Sequence, residues 1–195
     1  DIPDYSRLST GIQQNNNRKR QNNLDLGPRR NKKTYWKRPD DQMTTREIHV
    51  GFANEEFSEI VGRAAAEKFY TIEIETMSKC AVATVDTGGT VLLQKSLPYI
   101  NDVDYVVIKK KEEDSEVVGQ IEKRPYVIFE DVISKGLSVK RVADIVRRDG
   151  GKPVGAVGLY EREETGVEFL KNDGLKVEVI LHKNDIINQI KGVSP

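Results

Sequence analysis

The sequence predicts an α/β fold: a central, mostly parallel sheet with helices on both faces, preceded by a basic N-terminal arm. Three observations carry this. From residue 47 onward, short strand-like runs alternate with helical patterns, the order that builds a parallel sheet under crossover helices. Runs such as YVIF at 126–129 and AVGL at 156–159 are apolar throughout, as expected of strands covered on both faces. Residues 1–46 have a different character, with 11 basic and 5 acidic side chains in a chain that holds 31 of each, so an arm of net +6 precedes a body of net −6.

The body, 47–195, reads in order. Ile48–Phe52 is a short strand. Glu55–Phe69 places Phe57, Ile60, Val61, Ala64, Ala65 and Phe69 at helical spacing, so one face can pack. Tyr70–Ile74 alternates like a strand. Lys79–Val85, KCAVATV, is a stronger strand. It leads into the loop Asp86-Thr87-Gly88-Gly89-Thr90, after which Val91–Leu97 starts a short helix. Tyr105–Ile108 is a strand followed by the charged run KKKEEDSE. Tyr126–Phe129, after Pro125, is the next strand, and Glu130, Asp131 and a Gly-containing loop follow it. Ser138–Arg148 is a helix with Val139, Val142, Ile145 and Val146 on its apolar face, ended by Gly150–Gly151. Pro153–Leu159 is a strand, Val167–Leu170 begins a helix that Gly174 ends, Leu175–Leu181 is a last strand and Asp185–Ile190 a last short helix.

The arm shows no helix or strand period and cannot bury a core of its own. Arg18, Lys19, Arg20, Arg29, Arg30, Lys32, Lys33, Lys37 and Arg38 form a basic track, interrupted by the rings of Tyr35 and Trp36. Cations with interleaved aromatics suit phosphates and stacked bases of RNA or DNA. They equally suit an acidic protein surface, and both readings stay open.

Several classes are disfavoured. The single cysteine, Cys80, cannot form an internal disulfide, which points to an intracellular setting, cytoplasmic by default, with an organelle or a virion also open. No apolar run reaches membrane-spanning length, so no membrane partner is expected. His49 and His182 belong to no metal motif, and no metal-ligating residues are assigned.

Ligands of open α/β sheets bind at the carboxyl ends of strands. Three unusual loops fall there: DTGGT, KKKEEDSE and EDVISKGLS. Together they carry a resemblance. From about Cys80 to Ile190 the sequence resembles the type I phosphoribosyltransferases, and within them most nearly the orotate phosphoribosyltransferases. VIFEDVISKGLS is similar to the signature for 5-phosphoribosyl 1-pyrophosphate, and the similarity runs on through VKRVADIVRRDGGKPVGAVGLYEREETG and LKNDGLKVEVILHKNDII. The resemblance implies transfer of ribose 5-phosphate from that donor to a nucleobase. Glu130 and Asp131 would hold the ribose hydroxyls, and Ser134, Lys135, Gly136, Leu137 and Ser138 would cradle the 5-phosphate at a helix start. Thr87, Gly88 and Gly89 would meet the pyrophosphate. Lys109 and Lys110 would stand beside it as catalytic cations, with Asp131. Arg162 would meet the base. Mg2+ would accompany the diphosphate. The family's pairing into dimers implies a homodimer.

Two departures keep a second reading open. Lys135 and Leu137 stand where the family's phosphate loop has threonine and glycine. Glu112, Glu113 and Asp114 occupy the catalytic loop, where the family has a further lysine followed by His-Gly. The alternative is an inactive phosphoribosyltransferase-fold scaffold whose basic arm contacts nucleic acid or a partner protein.

Overall fold

The computed structural model describes residues 52–110 and 115–183, the side chain of Lys110 excepted. The basic track with its two aromatic residues, His49, the strand proposed for Ile48–Phe52 apart from Phe52 itself, the acidic run Glu112–Asp114 and the helix at Asp185–Ile190 lie outside the described residues.

The described chain runs α1 (Glu55–Thr76), β1 (Ala81–Val85), α2 (Gly88–Ser96) with a 3-10 turn at Leu97–Tyr99, β2 (Tyr105–Lys110), β3 (Ser115–Val118), β4 (Pro125–Ile133), α3 (Leu137–Arg148), β5 (Lys152–Glu161), α4 (Glu164–Asn172) and β6 (Lys176–His182). The six strands lie in the order β3-β2-β1-β4-β5-β6. All neighbours pair in parallel except the edge pair β2–β3.

Each face of the sheet carries its own core. On one side Val82, Val127, Phe129, Val157 and Leu159 pack with Phe57, Val61, Ala65, Phe69 and Ile72 of α1 and Leu92 and Leu93 of α2. On the other, Ala81, Ala83, Tyr126, Ile128 and Ala156 pack with Val139, Val142 and Val146 of α3 and Val167 and Leu170 of α4. Successive strand residues point to opposite faces. Strands sandwiched this way must be apolar at every position, which is why YVIF and AVGL show no alternation.

The helix α1 starts where the sequence places it. Asn54 accepts from the Phe57 N–H at 3.0 Å, and Glu55 and Glu56 sit in the first turn, where the helix dipole favours acids. It does not stop at Phe69. The strand expected at Tyr70–Ile74 is the last part of this helix. Ile72 is fully buried and Ile74 is 76% exposed. Two residues apart, they would share a face on a strand, but they diverge on a helix. Four alternating residues are too few to separate the two periods.

Other boundaries move in one direction, toward the ligand end of the sheet. Helix α2 begins at Gly88 rather than Val91, so the two glycines belong to its first turn. Strand β4 continues through Glu130 and Asp131 to Ile133, so the acidic pair lies within the strand instead of after it. The run KKKEEDSE is not all loop: Lys109 and Lys110 end β2, and its last two residues, Ser115 and Glu116, open the antiparallel strand β3. SEVV shows no polar–apolar alternation in its letters, yet its burial alternates as an edge strand's does.

Cys80 lies in the core below β1, its thiol pushed up to about 11 by burial and by the nearby Glu73 carboxylate. It is an inert packing residue, as its setting before an apolar strand suggests.

Candidate functional site

The strand order places a topological switch point between β1 and β4. From β1 the chain moves outward through β2 and β3, then returns to β4 and proceeds the other way through β5 and β6. The helix after β1, α2, covers one face, and the helix after β4, α3, covers the other. The two connections therefore part above the carboxyl ends of β1 and β4 and leave a crevice. The DTGGT and EDVISKGLS loops are its two walls.

The β1 wall turns sharply. Thr87 has φ 70° and ψ −77°, and the Gly88 N–H donates to the Asp86 carbonyl at 3.2 Å, a tight γ-turn in a backbone region costly for a residue with a side chain. Thr87 itself is exposed. The next two residues need to be glycine for a reason internal to the protein. A Cβ on Gly88 would lie 2.1 Å from Asp131 Cγ, and one on Gly89 would lie 2.1 Å from the Phe129 carbonyl oxygen. The start of α2 is thus seated directly on β4. The N-cap residue, Thr87, makes no side-chain cap bond, and the Asp131 carboxylate lies against the first turn of the helix.

The acidic pair is fixed from below. Phe129 is fully buried and meets the Phe69 ring edge-on at 6.2 Å, anchoring the strand one residue before Glu130. Glu130 and Asp131 are themselves 6% and 5% exposed. Strand alternation sends Asp131 toward α2 and Glu130 toward α3, where Glu130 lines an open pocket of about 250 Å3 together with Ser134, Lys135, Gly136, Leu137 and Ser138. Burial first, and the neighbouring Asp131 second, hold the Glu130 carboxyl well above the ordinary carboxylate range, while the Asp131 N–H, donating at 3.1 Å, opposes them.

That displacement has a stability consequence. Between pH 4.5, the ordinary value for Glu, and the raised folded-state value, the folded protein binds more protons than the unfolded chain. Stability therefore falls as pH rises through this window, by about 1.4 kcal/mol per pH unit from this group. Glu130→Gln removes the titration and keeps a hydrogen-bonding side chain. Its unfolding free energy minus that of the parent is expected to grow as pH rises above 4.5. Denaturant melts of both proteins across that range check it, and a constant difference would contradict it.

The phosphate-like loop meets its conformational demands with one residue. Gly136 has φ 73° and is the N-cap of α3, again without a capping side chain. Leu137 is the first residue of that helix and is 62% exposed. Its departure from glycine is accommodated by turning the side chain outward. The serines do not cap α3, the structural alternative for them. Ser134 Oγ instead donates to Glu163 Oε1. Lys135 and Ser138 are exposed at the mouth.

The remaining candidates lie further out. Lys109 is exposed at the end of β2 and faces Glu116 across the β2–β3 pair. With strands about 4.8 Å apart, β2 stands roughly 10 Å from β4. Lys110 ends the same strand. Arg162 is half-buried just after β5, and its backbone N–H donates to the Ile133 carbonyl at 2.8 Å. Of the acids flanking it, Glu161 is buried and bonds His182, and Glu163 accepts from Ser134. Sequence reading missed Glu163, Gly166 and the Glu161–His182 pair, because all three act across elements distant in sequence. Among the described residues no group of three or more His, Cys, Asp or Glu side chains is arranged to hold a metal ion, and no helix is long and apolar enough to cross a membrane.

No family model matches the chain. Orotate phosphoribosyltransferase of Thermoplasma acidophilum is 33% identical over 103 residues, which is 51% of this chain and 55% of that protein. The chain spans about half the length of the curated relatives it matches. Among solved structures, orotate phosphoribosyltransferase of Aeropyrum pernix superposes with a TM-score of 0.64 at 18% identity, over 77% of this chain and 84% of that one. Orotate phosphoribosyltransferase of Mycobacterium tuberculosis H37Rv, in complex with 5-phospho-alpha-D-ribosyl 1-diphosphate, superposes with a TM-score of 0.57 at 18% identity, over 71% and 81%. The fold is that of the type I phosphoribosyltransferases. The chain is related, at low identity, to members of the orotate phosphoribosyltransferase family.

Proposed function

We propose that this chain binds 5-phosphoribosyl 1-pyrophosphate and transfers its ribose 5-phosphate to a nucleobase, with orotate the first acceptor to test. One observation carries the reading. At the switch point, two helix N-termini, neither capped by the side chain of its own N-cap residue, flank a buried carboxyl pair. The sugar donor has the complementary order: an anion, a diol and a second anion. Helix N-termini favour anions, and carboxylates accept from hydroxyls.

In this reading Glu130 and Asp131 hold the ribose hydroxyls. Residues Ser134 to Ser138 bind the 5-phosphate through amides and hydroxyls, with Lys135 as a point charge. Thr87, Gly88 and Gly89 take the pyrophosphate, with Lys109 and Lys110 approaching from β2. Arg162 orients the acceptor base. The base nitrogen forms a bond to the sugar C1 as the bond from C1 to the pyrophosphate oxygen breaks, and the electron pair leaves with the pyrophosphate. The chain's part is to fix both reactants and set cations and amides where negative charge grows.

Mg2+ suits this donor set. It binds through one or two carboxylates together with substrate phosphates, without a dedicated protein cage. Asp131 and Glu130 are the side chains that would hold it with the ligand. When bound, it neutralises charge on the diphosphate.

Release of pyrophosphate from the donor, dependent on both orotate and Mg2+, is expected from full-length protein. Binding of the donor without turnover of orotate or other bases would favour the scaffold reading, for which Glu112, Glu113 and Asp114 in the expected catalytic loop are the supporting sequence feature.

A further inference from the structure

We infer that Glu163 is a charge gate on the phosphate loop, a specificity-determining side chain that makes an incoming phosphate compete with a carboxylate for Ser134. The inference rests on the reading above, which assigns the loop to a phosphate.

Glu163 occupies the N-cap of α4, with extended backbone at φ −136° and ψ 121°. Short acceptor side chains there, those of Ser, Thr, Asp and Asn, ordinarily bond the amides of their own first turn. Glu163 makes no such bond. Its Oε1 accepts from Ser134 Oγ, on the loop between β4 and α3. Ser134 also lines the 250 Å3 pocket with Glu130, Lys135 and Gly136. The hydroxyl that would donate to a bound anion is therefore already donating to one.

The backbone around this contact has no slack. A Cβ on Gly166, in the first turn of α4, would lie 1.8 Å from the Ser134 carbonyl oxygen, and one on Gly136 would lie 2.8 Å from the Gly166 carbonyl oxygen. Loop and helix are pressed together without side chains between them. Rotation of the Glu163 side chain opens the gate and leaves this close packing in place. That side chain has somewhere to go: the first-turn amides of α4, of which Gly166 already donates to the Glu163 carbonyl at 3.0 Å, lie at its own helix start. A phosphate takes Ser134, and the displaced carboxylate caps α4. Two like charges at this range oppose each other, so affinity is set below what the loop alone would give.

Glu163→Gln keeps an oxygen acceptor for Ser134 and removes the charge. In calorimetry with full-length protein, it is expected to tighten binding of inorganic phosphate, and of the sugar donor with Mg2+, by about tenfold. In a Ser134→Ala background the same change is expected to give a smaller gain, because competition for the hydroxyl is gone and only the relief of like-charge repulsion is left. A purely structural contact would move the melting temperature without this coupling. Should Glu163→Gln not fold, Glu163→Ser, which can cap α4 itself, carries the same expectation. Equal or weaker binding by the variant, with the parent binding normally, overturns the gate and leaves the site reading intact. No saturable binding by either folded protein overturns both.

Discussion

Gly88→Ala is expected to destabilise the protein by about 1–3 kcal/mol, the usual cost of forcing an extra methyl into filled space. The added Cβ would stand 2.1 Å from Asp131 Cγ and 2.3 Å from each carboxylate oxygen. Asp131 is buried on a strand with neighbours on both sides, so it has nowhere to withdraw. Gly88 does not have a positive φ, so the cost arises from contact and not from a backbone that alanine cannot adopt. Thermal melts are expected to fall by about 2–10 °C for a chain of this size. Adding Asp131→Ala to Gly88→Ala is expected to restore part of the loss, since the two changes meet at one point. A melt of Gly88→Ala identical to the parent would show that α2 is not seated on β4 in this way.

Asp131→Asn is expected to weaken binding of the sugar donor by about tenfold to a hundredfold, the worth of a hydrogen bond to a charged acceptor. The amide nitrogen cannot accept from a hydroxyl, and the charge near the diphosphate is lost. Stability should change much less. Removing a negative charge from the start of α2 costs about 0.3–1 kcal/mol, and relief of the crowding with Glu130 offsets it. Donor titrations beside denaturant melts separate the two effects. An unchanged affinity would remove Asp131 from the site, and a collapse of the fold would make its role structural.

Much of this architecture was legible in the chain because it follows from short-range pattern. The fully apolar runs YVIF and AVGL require cover on both faces, and the two-sided core supplies it. The helix faces led by Phe57 and Val139 pack as their spacing indicates. The errors share a cause. TIEI at 71–74 alternates locally, but the helix through it is decided by Ile72 reaching the core. Ser115 and Glu116 look like the end of the charged loop KKKEEDSE, because an edge strand shows water one of its faces. In the candidate site, the acidic pair and the Gly-containing loop were visible as residue types at strand ends. Two facts were not. Gly88 and Gly89 are required by packing against β4, and Ser134 is engaged by Glu163 from a helix 29 residues away in sequence. A glycine in a loop has the same letter whether a ligand or a neighbouring strand needs the space.

The central claim is that the crevice between β1 and β4 receives 5-phosphoribosyl 1-pyrophosphate. Calorimetric titration of full-length, folded protein with that donor and Mg2+ tests it most directly. The account expects saturable one-site binding that weakens in Asp131→Asn and Gly88→Ala. Absence of heat and of thermal stabilisation at millimolar donor would contradict it, and would leave a phosphoribosyltransferase-like fold serving as a scaffold.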